Sequence, residues 1–538
     1  MKKVYLILMV VIMGLVVSCG KEKTNKVNNE AKKEVKRIAI NENEEPQSIN
    51  PNLTTDSTGI TVNSIMSEGL MRSGRDGSPV AGLAEKWDIS EDGLTWTFYL
   101  REGLKWSNGD PLTANDFKFS WLKVLDRETG AKKADLLYVI KGAEAYNIGD
   151  GKKEDVGINV IDDKTLEIKL EQPTEYFLSL LAHVTYSPIS EKFYNKVTSK
   201  YGLEPETTVA SGPYVLKEWN HSANLVLAKN ENYWNKDAIK LDEIEIKLIT
   251  DNEAALNAFN NKEIDLIRIS SAQYEKYKDD KRIHLFQNNS VWFLLFNVKN
   301  EFLKNNKIRT AIQMSINKEE LVNSVLGGVA KPATGLIPDG IKGLDKSFRE
   351  EAGALVPDYN LVEAKKLYQE GLKELGLEKA PKITLLINDA LNNKKVAEFT
   401  QEQLRTNLGL EVEITAVPYK ERVNKSQQHD FDMVFSSTDA EYADPKTYLE
   451  VFMTNVGNNY GLYSNSKYDE LVKKSNRSND RKERMELMRN AEKTLITDLP
   501  AAFLYFQTRI VILNSNVKNL YFKGVGAEYY LYEAEIQN

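Results

Sequence analysis

Three carboxylates stand within six residues of one another: Asp439, Glu441 and Asp444. They follow an apolar, strand-like run directly, and Pro445 ends the group; we call residues 439–445 the acid loop. Acids crowded at the end of an apolar strand have two chemical uses. They neutralise a cation held beside the strand, or they cap the next helix and face water. Residue types alone leave both uses open.

Strands and helices alternate in the chain that must position these acids. The expected elements are a helix capped by Asn360 and stopped near Gly376, strands over residues 383–387, 412–417 and 431–436, and a helix over residues 396–408. Strand–helix–strand order predicts a parallel sheet covered by helices. Ligands of such open sheets bind outside the carboxyl ends of the strands, and the acid loop lies at one such end.

Length and composition exclude several classes of protein. A chain of 538 residues with 41% apolar and 28% charged residues is an ordinary globular protein of several lobes. The net charge of −7 is spread along the chain with no basic stripe, so we expect no nucleic-acid partner. The four histidines lie far apart, which argues against a metal site. We find no phosphate loop and no nucleophile elbow, and expect no cofactor.

The N-terminus predicts export and a lipid anchor. Two lysines precede about fourteen mostly apolar residues, a core too short to span a bilayer. The run ends in V-V-S-C, which resembles a bacterial lipobox, and Cys19 is the sole cysteine. We therefore expect residues 1–18 to be a lipoprotein signal peptide, Cys19 to be acylated, and residues 19–35 to be a flexible tether. The alternative is an ordinary export signal in which the cysteine is incidental.

Four blocks of the mature chain resemble the extracellular solute-binding proteins of peptide ABC importers, and most of all their oligopeptide-binding subgroup. The blocks are VAGLAEKWDISEDGLTWTFYLREGLKWSNGDPLTANDFKFSW (residues 80–121), SGPYVLKEWNHSANLVLAKNENYWN (211–235), NNKIRTAIQMSINKEELV (305–322), and FDMVFSSTDAEYADPKTYLEVF (431–452) with NNYGLYSNSKYDELV after it. Their order and spacing match the family along almost the whole mature chain.

The resemblance implies an α/β fold of the type II periplasmic-binding-protein class, with two mixed α/β lobes closing on a cleft plus an extra α+β domain. The expected segments are residues 36–67, 188–290 and 505–538 for domain I, 68–187 for domain II and 291–504 for domain III. No covalent chemistry is implied, so we expect no enzyme. The chain is expected to be a monomer, lipid-anchored outside the cytoplasmic membrane, or on the periplasmic side if the host has an outer membrane.

The resemblance also implies a ligand and partners. Family members enclose an extended oligopeptide, pair its backbone with protein strands, and deliver it to an ABC permease with cytoplasmic ATPases. Backbone pairing gives affinity without sequence choice. The alternatives are a binding protein for a non-peptide solute, such as a sugar or a metal chelate, or a peptide sensor of the same fold. An acid at the strand end favours a cationic ligand, hence a peptide over a neutral sugar.

Family members pair the ligand's N-terminal ammonium with the aspartate of a Trp-x-Ala-Asp-Tyr-like motif. Glu441 holds that position here, and Thr438 replaces the tryptophan; both depart from the family pattern. Asp439 is the second candidate, and Asp444 is expected to cap the following helix.

Other ligand candidates come from several parts of the chain. They are Ser437 and Thr438 through backbone groups, Thr55 and Asp56 in a cleft-lining or merely polar loop, Asn459, and Trp292, which is either core or ligand wall. No cation for the ligand's carboxyl terminus can be assigned from the sequence.

Overall fold

The computed structural model describes residues 35–537. The predicted signal peptide, Cys19 and all but the last residue of the predicted tether therefore lie outside the described residues. From residue 35 to residue 537, no helix is both long and apolar enough to cross a membrane.

Twenty-one strands are present in this part of the chain. They are β1 (Arg37–Glu42), β2 (Met71–Ser73), β3 (Pro79–Ala81), β4 (Ala84–Ile89), β5 (Thr95–Leu100), β6 (Ile158–Asp162), β7 (Thr165–Lys169), β8 (Tyr214–Asn220), β9 (Asn224–Lys229), β10 (Glu243–Leu248), β11 (Leu266–Arg268), β12 (Ile283–Phe296), β13 (Lys331–Pro332), β14 (Ile383–Asn388), β15 (Val412–Val417), β16 (Met433–Thr438), β17 (Ala501–Leu513), β18 (Val517–Lys518), β19 (Tyr521–Phe522), β20 (Tyr529–Tyr530) and β21 (Glu535–Ile536).

Sixteen α-helices accompany these strands within the same residues. They are α1 (Ser57–Met66), α2 (Ala114–Leu125), α3 (Ala143–Ile148), α4 (Phe177–Leu181), α5 (Glu191–Val197), α6 (Asn252–Asn260), α7 (Ser271–Tyr277), α8 (Asn306–Ser315), α9 (Lys318–Glu320), α10 (Phe348–Ala352), α11 (Leu361–Glu374), α12 (Leu391–Leu408), α13 (Tyr419–Gln427), α14 (Lys446–Leu449), α15 (Ser466–Arg477) and α16 (Arg481–Asp498). Together with the strands they confirm the predicted mixed α/β class.

One sheet of eleven strands runs through the molecule in the order β15-β14-β16-β12-β17-β11-β1-β10-β9-β8, with β13 paired to β17. β14 pairs in parallel with β15 and β16, as the alternation of elements predicts. The two longest strands, β12 and β17, pair antiparallel along most of their length. Their register shifts between Gln287 and Val291, where a bulge interrupts the ladder. These two strands join the β14–β16 part of the sheet to the β1–β11 part.

A separate antiparallel sheet, β4-β5-β7-β6, packs against α2. Period-two alternation in β5 buries Trp96, Phe98 and Leu100 on one face. A capping pair starts α2, because the Asp116 carboxylate accepts the backbone N–H of Thr113 at 2.9 Å. The sheet supplies one of five hydrophobic clusters in the described chain. The proposed domain boundaries stay predictions.

Element boundaries differ from the sequence expectations at identifiable places. The apolar run near the C-terminus forms the single long strand β17. The helix expected from residue 396 begins earlier, at Leu391. The sequence does not signal this start, because Ala390 at the N-cap has no side-chain oxygen to accept a backbone N–H. The strand before the acid loop begins at Met433 and continues to Thr438.

Candidate functional site

The acid loop begins where β16 ends. Ser437 and Thr438 pair with Trp292 and Val291 of β12 on one side of β16. On the other side, β14 pairs only with Met433 and Val434. The last part of β16 therefore has no partner strand on the β14 side among the described residues. An unpaired strand edge is a template for an added strand.

Asp439 is the first acid beyond that edge. Asp439 is an exposed residue. Nearby protein nonetheless removes water from around its carboxylate and raises the pKa of Asp439 to about 6, while the positive charge of Arg509 opposes this rise. Within residues 35–537 it forms no side-chain hydrogen bond or ion pair closer than 4 Å. Asp439 is therefore a mostly ionised carboxylate at neutral pH, without a partner of its own.

Glu441 has different surroundings. Its carboxylate forms an ion pair with Lys133, which lies between α2 and α3. The backbone N–H of Glu441 donates to the Thr447 hydroxyl at 3.3 Å. A third of the Glu441 side chain is exposed, with a relative accessibility of 37%. A ligand cation that bound Glu441 would have to displace Lys133 or share the carboxylate with it.

Asp444 has a structural role. Both of its oxygens accept hydrogen bonds from the buried Arg484 guanidinium, at 2.7 and 2.8 Å. It also accepts the backbone N–H of Lys446 at 3.0 Å, which agrees with the predicted position at the start of α14. The bidentate pairing with Arg484 of α16 is the stronger contact, because it joins two opposite charges in buried surroundings.

A clasp, made of Tyr176, Tyr442 and Lys446, ties the acid loop to the cluster around α2. The rings of Tyr176 and Tyr442 stack with centroids 5.2 Å apart. Lys446 donates to the Tyr176 hydroxyl at 2.5 Å. Tyr442 is buried in the hydrophobic cluster of α2 and the four-stranded sheet, although it lies more than 230 residues away in the chain. The clasp brings Glu441 to the rim of a cavity.

This cavity lies between α1, the acid loop and the C-terminal strands, and its volume is about 1070 Å³ when the space that opens to solvent is included. Its wall contains polar and charged side chains that the sequence analysis missed: Asn63, Glu68, Arg72, His183, Lys523 and the tyrosines Tyr214, Tyr529, Tyr530 and Tyr532. They come from remote segments with no shared motif. Burial lowers the pKa of His183 to about 4, so this imidazole is neutral at pH 7.

Of the residues predicted to bind ligand, Glu441 alone lines this cavity. Asp56 instead caps α1, accepting the N–H of Gly59 at 2.7 Å, and Thr55 precedes it in the same half-buried loop. The Asn459 amide donates to the carbonyls of Met453 and Tyr463, so its polar groups are occupied inside a loop.

Trp292 belongs to the packed centre of the sheet. It lies 4.9 Å from Phe435 and stacks on Tyr505 at 6.0 Å between centroids. Its indole N–H is buried and has no hydrogen-bond partner in the described chain. Of the two alternatives for Trp292, this placement supports core over ligand wall.

Comparison with known proteins finds similarity to bacterial solute-binding proteins along most of the chain. The sequence model of bacterial extracellular solute-binding proteins, family 5 Middle, matches residues 78–460. The dipeptide-binding protein DppE of Bacillus subtilis is 36% identical over 91% of this chain and 90% of its own length. The oligopeptide-binding protein OppA of the same organism is 35% identical, covering 98% of each chain.

A solved structure confirms the fold. Listeria monocytogenes OppA bound to peptide superposes with a TM-score of 0.81 at 33% identity, over 94% of this chain and 100% of that one. The expected class, a type II periplasmic-binding-protein-like fold, is therefore confirmed.

Proposed function

We propose, since this chain belongs to the bacterial extracellular solute-binding proteins of family 5, that it captures peptides beside the acid loop and delivers them to an ABC permease with cytoplasmic ATPases. It is a solute-binding protein and not an enzyme. Relatives named for dipeptide and oligopeptide binding support a peptide as the ligand. The fold supports a cleft that encloses it.

The observation that carries this proposal is the unpartnered Asp439 carboxylate beside the open edge of β16. A peptide offers both a strand partner for the open edge of β16 and a cation for Asp439. Its backbone N–H and C=O groups extend the sheet along Ser437 and Thr438. Its N-terminal ammonium neutralises an acid that otherwise carries unpaired charge.

The environments of the two acids support Asp439 over Glu441 as the partner of the ammonium. Lys133 already neutralises Glu441, whereas the positive charge that acts on Asp439 belongs to Arg509, which is itself bonded to Glu528 at 2.8 Å. Glu441 then holds Lys133 at the rim of the cavity. The roles of both residues are part of the proposal.

The experiment that tests the function is mass spectrometry of the small molecules that copurify with the protein, followed by incubation with a mixed peptide pool. We expect peptides to be recovered from the purified protein and to be captured from the pool without cleavage. Cleavage would indicate a peptidase. Recovery of an uncharged, non-peptide solute would contradict the proposal.

Anchoring is a separate part of the proposal. Cys19 lies outside the described residues, and the lipobox-like sequence around it supports acylation. Labelling growing cells with a radioactive fatty acid should mark the wild-type protein and leave the Cys19→Ala variant unlabelled. Equal labelling of both proteins would contradict a lipid anchor at this residue.

A further inference from the structure

A lysine is buried in the cavity wall without an acid to pair with. Lys523 is 5% exposed and lines the cavity. Its ammonium makes no hydrogen bond or ion pair with any other described side chain. A charged group that loses water without gaining a partner is costly, and proteins avoid this arrangement unless the charge serves a purpose.

The C-terminal hairpin, residues 521–530, fixes the position of this lysine. β19 pairs with β20, and the backbone N–H of Lys523 donates to the carbonyl of Glu528 at 2.8 Å. Gly524 then lies so close to β12 that a Cβ atom there would stand 2.7 Å from the backbone oxygen of Gln287. This close approach pins the hairpin against the sheet and holds Lys523 in the wall.

A second cation strengthens the positive charge of this wall. Arg72 lies over the ring of Tyr532 at 4.2 Å and donates to the Tyr530 hydroxyl at 3.2 Å. Its Nε atom is buried without a hydrogen bond in the described chain. Glu68, the acid nearest to it, is 3.9 Å away.

Glu68 does not neutralise both cations. Its two oxygens accept hydrogen bonds from the Tyr233 hydroxyl at 2.6 Å and the Trp234 indole at 2.7 Å. Burial and the neighbouring charge of Arg72 together lower the pKa of Lys523 to about 8, so the lysine is still mostly charged at pH 7. Burial raises the pKa of Glu68, which opposes its ionisation. Even with Glu68 fully ionised, Lys523, Arg72 and Glu68 leave this end of the cavity with one positive charge in excess.

We propose that Lys523, supported by Arg72, binds a carboxylate that the ligand carries into the cavity. The inference rests on the proposed function and adds a requirement to it: the preferred peptides bring a negative charge to this wall. Either the C-terminal carboxylate of a short peptide or the side chain of a glutamate or aspartate supplies that group. The two sources share one chemistry and separate in the experiment.

Calorimetric titration with alanine peptides of two to five residues tests the proposal. Each peptide is used as the free acid and as the C-terminal amide, and a second set of amidated peptides carries glutamate or glutamine at one position. We expect an acidic ligand to bind at least about tenfold more tightly than its neutral counterpart. Preference for free acids identifies the C-terminus, and preference for glutamate identifies a side chain. These comparisons use the unaltered protein.

Variants then assign the preference to Lys523. Lys523→Met should abolish the discrimination between acid and neutral peptides, whereas Lys523→Arg should retain it. Lys518→Met, at an exposed position of the same C-terminal segment, is the matched control and should behave as the wild type. Circular dichroism and thermal unfolding establish that each variant is folded.

The experiments distinguish failure of the carboxylate site from failure of the peptide function. If peptides bind the wild type without any preference for acids, or if Lys523→Met keeps the preference, the carboxylate site is wrong and the peptide function stands. If no peptide of either set binds the wild type, the site and the peptide function are both contradicted.

Discussion

Asp439 and Glu441 lie two residues apart and have different electrostatic partners. Glu441 points to Lys133 across the rim of the cavity, while Asp439 lies beside the open strand edge without a close cation. A carboxylate that is already neutralised adds little attraction for a second cation. The acid that is still unpaired contributes most to the binding of an ammonium group.

Asp439→Asn should weaken peptide binding at least about tenfold, because truncating one partner of a hydrogen-bonded charge pair typically costs about 2–5 kcal/mol. Glu441→Gln is the matched control and should weaken binding less. Isothermal titration with any peptide that the wild type binds measures both effects. A larger loss for Glu441→Gln would return the ammonium to the residue that the family pattern assigns.

Acid pH gives an independent measure of the same residue. Burial raises the pKa of Asp439 to about 6 in the ligand-free protein, so lowering the pH through 6 protonates the acid and removes its charge. Affinity should therefore be full near pH 7 and fall towards pH 5, more steeply in the wild type than in Asp439→Asn. Equal slopes in the two proteins would show that another group controls the pH dependence.

The two acids can be recognised in the sequence, whereas the cations near the site cannot, and the reason is physical. Asp439 and Glu441 are recognisable because they directly follow an apolar run within one short segment. Lys133, Arg72 and Lys523 are ordinary surface-type residues in sequence, and their position next to the site depends on contacts between segments hundreds of residues apart. No local pattern encodes such contacts.

At the scale of elements, the C-terminal hairpin and β12 depend on each other. Gly524 approaches the bulge of β12 so closely that a Cβ atom would stand 2.5 Å from the Asn289 amide nitrogen. Buried polar atoms of Gln287, Asn288 and Asn289 also lack hydrogen-bond partners in the described chain. The hairpin thus packs against the bulge, which is the least regular part of β12.

Gly524→Ala should lower the free energy of unfolding by about 1–3 kcal/mol, since the added methyl group forces the hairpin or the bulge to move. Thermal or urea unfolding measures the change. Gly457→Ala, where a Cβ would have no neighbour within 4 Å, is the matched control and should be near neutral. Equal stability of the two variants would mean that the hairpin shifts freely and does not hold Lys523 in place.

Element prediction succeeded where the local signals agree. Residues 412–417 form β15 with the expected bounds, because β-branched residues alternate there between breaker residues. Asn360 caps α11 as expected, accepting the N–H of Glu363 at 3.1 Å. The start of α12 was missed because its first turn carries polar residues and follows an alanine.

At the scale of the whole molecule, the clasp at the acid loop supports a closed arrangement. Tyr176 and Tyr442 stack across segments that the family resemblance assigns to different domains. A ligand stabilises such an arrangement if it binds that form better than an open one. Domain closure therefore belongs to the proposed mechanism of capture.

Small-angle X-ray scattering should show a smaller radius of gyration with a bound peptide than without one. Tyr176→Phe removes the hydroxyl that Lys446 bonds and should shift the ligand-free protein towards the larger radius. Phe119→Leu, a partly buried substitution in the same cluster but away from the clasp, serves as the control. An unchanged radius on adding a saturating peptide would contradict closure.

The eleven-stranded sheet has a further consequence for how the protein unfolds. β12 and β17 lie between the two flanks of the eleven-stranded sheet. Without them, the strand next to them in each flank would lose a hydrogen-bonded partner. Melting either side strips hydrogen bonds and apolar cover from the other. We therefore expect the eleven strands of this sheet to lose their structure in a single cooperative step, although the chain is long enough for several independent folding units.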